Sequence, residues 1–488
     1  MTHSSSVSPP GAVAENSSQH GLKGSIGVFS LVFTVLAYNG PMVVFLGFIP
    51  VAILLGNGIG IPAMFLACGV VAALFAAGLV AMGLRLPKPG GFYAYVSAGL
   101  GKIPGLGTGF VAMIGYYAAN ISTYPLGGVA AQTLVHDVLK GPDIPWWVYA
   151  IVFFAAASIL GYLNINFSAK VLTVFLAFEL LLMVIYDVSV LVRGGAHGFG
   201  LQSFQPHYLF SGSIGIGFIF GIGLYGGFEA TIIFRDEVKN PGKTIPRATY
   251  AVVAILAIVY SVTAWIFINA YGPEAVMGIV AKNVSGASIA SVQHYTGTVA
   301  YYAASIMLIT SCFALILASH NITARYLYNL SADGVLPRSL SRVHRKHGSP
   351  HRASVIMSIA CVVGLVPWIV AKVGGATIYA TVVGTYSYCL VMLLTISSLA
   401  IVVYLLRDKT GKRAVGPATC AAIAFVLLVT ALVLSTLNFT VLTGTTGWLS
   451  YVILGVVYGV VAIGVVMAAI YRKRRPDVYA RIGREEVG

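Results

Sequence analysis

Charge is what this sequence has least of. Lys and Arg number 29 and Asp and Glu 14 among 488 residues, 9% in all, where a soluble domain carries about 25%. Hydrophobic residues make up 58%. A soluble chain this apolar could not cover its own surface with polar groups, so the deficit excludes a soluble enzyme and a disordered chain. Cysteine is scarce too. Cys68, Cys312, Cys361, Cys389 and Cys420 all fall in apolar runs and none forms a CxxC pair, which excludes a disulfide scaffold and reads as small core residues. There is no Gly-Lys-Ser/Thr phosphate loop, so direct ATP coupling by this chain is not expected. No HExxH and no paired Cys/His spacing points to a metal. No catalytic constellation is found, and no cofactor is expected. Residues 1–24 are polar and Ser-rich. They lack the basic start and short apolar core of a signal peptide and read as a disordered tail, with the first apolar run as the insertion signal.

What the chain has in quantity is apolar runs of spanning length. Twelve spans of about 20 residues need about 240 apolar-rich positions, and the composition supplies them. Hydropathy places the spans near 25–55, 62–84, 106–135, 146–163, 167–192, 213–234, 248–271, 297–330, 353–371, 376–406, 415–437 and 446–471. The fold class expected is an all-α integral membrane protein with 12 transmembrane helices. The formal charge of +15 would point a soluble protein toward nucleic acid. Here the basic residues sort by side instead. Of the 29, only Lys140, Arg193, Lys282 and Lys372 fall on one side of these spans, and the other 25 fall on the opposite side. That bias places both termini in the cytoplasm. It also favours contact with anionic lipid headgroups, and no nucleic-acid role is expected.

Two spans carry a flaw. The first is apolar to Leu36, reads Ala37-Tyr38-Asn39-Gly40-Pro41, and resumes. Proline breaks or kinks a helix, and glycine eases an unwound backbone. The sixth reads Gly221-Ile222-Gly223-Leu224-Tyr225-Gly226-Gly227-Phe228-Glu229, four glycines and a carboxylate inside one span. Non-helical backbone at membrane depth is tolerated only where it is buried in protein or lines a cavity. Two broken helices at matching positions, five spans apart and so inverted, point to an inverted-repeat transporter with a midplane site. The alternative is a plain proline kink in one helix and close glycine packing in the other.

Three short motifs carry a family resemblance. Pro87-Lys88-Pro89-Gly90-Gly91-Phe92-Tyr93-Ala94-Tyr95 resembles the Pro-x-x-Gly-Gly-x-Tyr-x-Tyr loop of the amino acid–polyamine–organocation (APC) permeases. Gly227-Phe228-Glu229, Asp236-Glu237-Val238-Lys239-Asn240-Pro241 and Ile245-Pro246-Arg247-Ala248 are similar to a second run in that family. Arg325, then Ala332-Asp333-Gly334-Val335-Leu336-Pro337, then Pro350 form a third. The resemblance implies a LeuT-like fold: helices 1–5, an inverted set 6–10, two more, and discontinuous helices 1 and 6. The chain then divides into a cytoplasmic tail (1–24), a first five-helix repeat (25–192), an extracellular loop (193–212), a second repeat (213–406), two C-terminal helices within 407–471, and a basic cytoplasmic tail (472–488). The sequence departs from the family at Tyr38-Asn39-Gly40-Pro41, where a Gly-Ser-Gly-type motif is usual, and at Leu79-Val80-Ala81-Met82, where a Glu is common.

Broken helices expose amides at a positive end and carbonyls at a negative end, which suit a carboxylate and an ammonium. Asn39, Gly40, Pro41, Gly226 and Gly227 are therefore candidate substrate-binding positions, mainly through backbone. Tyr38, Tyr225 and Phe228 are candidates for walls or a lid, and a tyrosine can stack on a cation; each could equally be core packing. The resemblance adds Tyr117 and Asn120 on the third span.

Acids inside spans are costly and functional suspects. Asp187 reads as interfacial. Glu229, just past the sixth-span break, reads either as a proton-coupling group or as a partner for freed backbone. Glu179 lies about 18 Å into its span at 1.5 Å per residue, with no Lys or Arg at the same depth in any span. A lone carboxyl there suits proton coupling; the alternative is a neutral Glu bonded across helices. In several APC transporters the matching position of the fifth helix is a Lys, beside the site where sodium-coupled relatives hold an ion. On span eight, His320 reads as satisfied by polar neighbours rather than titrating.

The function expected is a proton-coupled secondary transporter of an amino acid or related amine in the cytoplasmic membrane, working by alternating access. Exchange is the main variant. Its partners are a small-molecule substrate, protons and membrane lipids. An intramembrane lipid-modifying enzyme would show clustered acids or histidines at a membrane face; a channel would show repeated pore motifs and a receptor an exposed domain. None is visible.

Overall fold

A computed structural model describes residues 27–37, 39–86, 91–163, 169–344, 349–407, 414–445 and 447–483. Helix is the dominant structure, as it must be where no water can satisfy an open backbone. In chain order the main helices are α1 (Val28–Ala37), α3 (Ile61–Gly83), α4 (Phe92–Leu100), α5 (Lys102–Thr133), α6 (Trp146–Tyr162), α7 (Ala169–Arg193), α8 (Ile214–Gly223), α9 (Ala230–Ile233) and α10 (Pro241–Tyr271). Between α1 and α3 lies α2 (Pro41–Leu55). Two short helices, α11 (Val276–Lys282) and α12 (Ala287–Thr296), precede α13 (Thr298–Ala332), α14 (His351–Val370), α15 (Gly375–Arg407), α16 (Val415–Leu437), α17 (Trp448–Arg474) and α18 (Pro476–Arg481).

Among the described residues, 8 helices are long and apolar enough to cross a membrane: α3, α7, α10, α13, α14, α15, α16 and α17. The pair α1 and α2, bent by 44° at its break, makes 9. Three of the twelve expected spans fall outside that set for identifiable reasons. The 32-residue α5 is diluted by glycine, serine, threonine and tyrosine. The 17-residue α6 is short. The sixth span stops as a helix after the 10 residues of α8.

Burial sorts inner from outer helices. The most apolar stretch of α15 is 67% buried and those of α3 and α10 are 61% buried, against 17% for α17. A helix that stays apolar on its exposed side faces lipid, so α17 is peripheral and α3, α10 and α15 are central.

At one end of the bundle the first and third family-like motifs meet. Tyr93, at the start of α4, donates its hydroxyl to Asp333 Oδ2 (3.0 Å), just past α13. Arg235 donates to the carbonyls of Gly83 (2.9 Å) and Leu86 (2.6 Å). Asn240 sits in the left-handed region (φ 48°) ahead of Pro241, the first residue of α10, a place where a missing amide proton costs nothing. The last helix, α18, closes this end: Val478 and Ile482 are buried with Tyr93, Leu330 and Val335 in a separate small core, and Arg481 donates to the Asp333 carbonyl (3.2 Å). Residues 1–24, Pro87 to Gly90 of the first motif and the end of the basic tail lie outside the described residues, as do the side chains of Asp236 and Glu237.

Candidate functional site: two broken helices joined by polar side chains

Both interruptions exist. The first lies between α1 and α2. Gly40 takes φ 63°, ψ 72°, and Pro41 starts the next helix. A Cβ at Gly40 would also sit 3.2 Å from Ser311 Oγ on α13, so both conformation and space ask for glycine. Just beyond, Val44–Phe48 winds as a π-helical turn, a form common at functional sites. Tyr38 lies outside the described residues.

The second interruption follows α8. Past Leu224 the backbone bonds reach back three residues rather than four: Tyr225 to Ile222 (2.9 Å), Gly226 to Gly223 (3.3 Å), Phe228 to Tyr225 (3.3 Å) and Ala230 to Gly227 (3.0 Å). Gly227 adopts φ 98°, with open space where a Cβ would point. Its glycine is required by backbone conformation alone. Gly226 is the reverse case. A Cβ there would run into Tyr386 Oη on α15, so its glycine is required by packing.

One side chain links the two breaks. Asn39 donates its Nδ2 to the Leu224 carbonyl (2.9 Å) at the start of the second interruption. Its Oδ1 accepts from Tyr260 Oη of α10 (2.6 Å). The breaks, far apart in sequence, therefore lie side by side.

Each break also has its own carboxyl. Glu179, 4% exposed on α7, accepts the Met42 amide at Oε2 (3.2 Å). Met42 stands in the first turn of α2, where amides have no partner within the helix and the dipole favours negative charge. Ser311 lines the same cavity as this carboxyl. Glu229, 8% exposed, accepts from the Gly227 amide at Oε2 (3.0 Å) and from Tyr116 Oη at Oε1 (3.1 Å). Tyr116 in turn stacks on Tyr326 of α13, with ring centroids 5.7 Å apart. Both acids thus satisfy backbone freed by the breaks. A cavity of ≈ 590 Å³ borders Gly40, Pro41, Glu179 and Ser311.

The remaining candidates make contacts between helices. Tyr225 is fully buried and donates to the Phe65 carbonyl (2.7 Å) on α3. Phe228 packs edge-on against Phe75, 5.9 Å between centroids. Tyr117 donates to the Ala360 carbonyl (2.7 Å). Asn120 donates to the Ile316 carbonyl (2.8 Å) and Ser319 Oγ (2.9 Å), and accepts from Cys361 (3.1 Å). Tyr117 and Asn120 therefore join α5 to α13 and α14. His320 is fully buried in the same region and pairs with Ser354 Oγ (2.9 Å). Asp187 accepts from Thr263 (2.9 Å). Among the described residues no group of three or more His, Cys, Asp or Glu could hold a metal ion.

Tyr116, Tyr260, Tyr326 and Tyr386 were not singled out from sequence. A tyrosine in an apolar helix reads as core until its facing is known, so no signal in the sequence separates these four from the others.

Two interrupted helices laid side by side, each with a buried acid on a freed amide, define a multi-pass helical membrane protein of the carrier type. The profile of the amino acid permease family matches residues 30–480, and the chain belongs to that family, within the APC permeases. It is similar to the branched-chain amino acid permease BcaP of Bacillus subtilis (strain 168), 24% identical over 362 residues, 70% of this chain and 74% of the relative. It is also similar to the low-affinity putrescine importer PlaP of Escherichia coli (strain K12), 26% identical over 351 residues, 69% of this chain and 74% of the relative. Similarity to the human cystine/glutamate transporter is 23% over 297 residues, 59% of this chain and 57% of the relative. Membership makes the protein a permease and a multi-pass membrane protein, and not an enzyme.

Proposed function

We propose that this permease is a secondary active transporter that moves an amino acid or related amine across the cytoplasmic membrane by alternating access, driven by proton symport. The relatives named above are, by their descriptions, a branched-chain amino acid permease and a putrescine importer, so the substrate class spans amino acids and small amines. In this reading twelve helices cross the membrane as two inverted sets of five plus two, with both termini cytoplasmic. The breaks in the first and sixth supply backbone groups to the substrate.

The observation that carries the reading is the bond from the Met42 amide to Glu179. This amide lies at the positive end of a half-helix, where a substrate carboxylate would be drawn. Here a protein carboxyl holds it. Protonation of Glu179 weakens that hold and frees the amide, and proton loss restores it. Proton and substrate then act on one helix end, the requirement for coupling.

The test is uptake into proteoliposomes. Glu179→Gln keeps the shape and an acceptor oxygen but cannot carry the proton. It should lower uptake driven by a pH gradient by at least about tenfold, while exchange of labelled for unlabelled substrate continues. Equal loss of both would remove the coupling role. Exchange without any gradient-driven uptake in the unaltered protein would establish an exchanger instead.

A further inference from the structure

The cavity that touches Glu179 is much larger than the interrupted backbone needs. It is an elongated cleft between α6, α7 and α13. On α13 its lining runs from Ile309 to Arg325. From Ser311 to Arg325 is about 21 Å at 1.5 Å per residue. The polar groups of the inner end are the Glu179 carboxyl and the hydroxyls of Thr310 and Ser311; the far end carries Arg325. Between them the walls are mostly apolar, with Phe153 from α6, Leu172 and Phe175 from α7 and Phe313 from α13; Asn321 adds one amide a turn before Arg325. Phe175 is 41% exposed, so the cleft also opens along the apolar outer face of α7.

We propose that this cleft is a binding site for an apolar monoamine, with its ammonium on Glu179 and its hydrocarbon body along Phe153, Leu172, Phe175 and Phe313. Three features of the cleft select that class. A carboxyl at a nearly dry blind end makes a strong charge-assisted pair with an ammonium. A free amino acid is too short to reach Arg325 from Glu179, so its carboxylate would lie beside the like-charged Glu179, with only the hydroxyls of Thr310 and Ser311 to receive it. A diamine would direct its second ammonium along the apolar wall toward a guanidinium, where it finds no acid. An aromatic or long aliphatic body meets neither problem, and rings on several sides add cation–π and stacking contacts. The volume, ≈ 590 Å³, falls in the range of small-molecule sites. Occupancy would hold Glu179 in its charged form against Met42, so such an amine inhibits transport rather than being carried. Binding itself requires no translocation, and the proposal stands or falls apart from the coupling role of Glu179.

The experiment is titration of the purified full-length protein in detergent with 2-phenylethylamine, followed by calorimetry and by the shift in melting temperature. Saturable binding is expected, with putrescine and phenylalanine at least about tenfold weaker, the ratio that loss of one ion pair gives. Glu179→Gln should weaken 2-phenylethylamine by at least about tenfold by removing the charge. Ala156→Phe, on the α6 wall, should do the same by filling the cleft. Absence of saturable binding, or binding that survives both variants, would overturn the proposal. Stabilisation by phosphatidylglycerol that depends on Arg325 and not on Glu179, in place of amine binding, would assign the cleft to an acyl chain and also overturn it.

Discussion

Asn39 shows how much of this site is structural. One amide group bridges two helix breaks through the Leu224 carbonyl and the Tyr260 hydroxyl. Asn39→Ala leaves both partners unpaired in a region shielded from water, at about 1–3 kcal/mol for each buried group. The variant should melt several degrees lower and lose transport together. Asn39→Asp, which keeps the acceptor for Tyr260 but not the donor for Leu224, should fall between. Unchanged melting of the alanine variant would show that the breaks do not depend on each other. The residue scale is also where sequence reading was least able to decide. Glu179 and Glu229 were legible as suspects because an acid in a span is rare and costly. Tyr225, Phe228, Tyr117 and Asn120 were legible only as alternatives, since the same side chain serves a cavity or a core according to which way its helix face turns. Their hydrogen bonds and ring contacts place them in interhelical packing.

At the scale of elements, the second interruption separates two reasons for glycine. Gly226 is small because Tyr386 of α15 occupies the space, and Gly227 is glycine because of its φ of 98°. Gly226→Ala should therefore be rescued in large part by Tyr386→Phe, which removes the clashing hydroxyl, giving a favourable coupling of about 0.5–3 kcal/mol in a double-mutant cycle of melting data. Gly227→Ala has no clash to relieve, and Tyr386→Phe should leave its cost of about 1–2 kcal/mol unchanged. Identical rescue of both would mean that packing controls the whole turn. The interruptions themselves were readable as sequence because proline and clustered glycine are local signals. Their adjacency was not, because nothing local reports which helices lie together.

For the whole molecule, the end that joins α4, α13 and α18 brings the first and third family-like motifs into contact. Removing residues 476–488 exposes the core that Val478 and Ile482 close, and burial of each such side chain is worth about 1.5–3 kcal/mol. The truncated protein should melt several degrees lower and become more sensitive to protease near Asp333; an unchanged melting curve would count against a structural role for α18. The charge asymmetry makes a separate statement about the same end. Single cysteines placed in 235–247 and 338–342 should react with impermeant reagent only from the cytoplasmic side, and labelling from outside would overturn the orientation. Composition, hydropathy and the motifs determined by themselves that the chain is a multi-pass helical permease and where two of its helices fail, because apolar length, proline, glycine and charge act locally and can be read in order. Only tertiary structure decided that the two failures touch through Asn39, that Glu179 reaches the Met42 amide, and that a long apolar cleft opens beside it. These depend on the rotation of each helix about its axis, which the even hydrophobicity of a membrane span leaves unmarked.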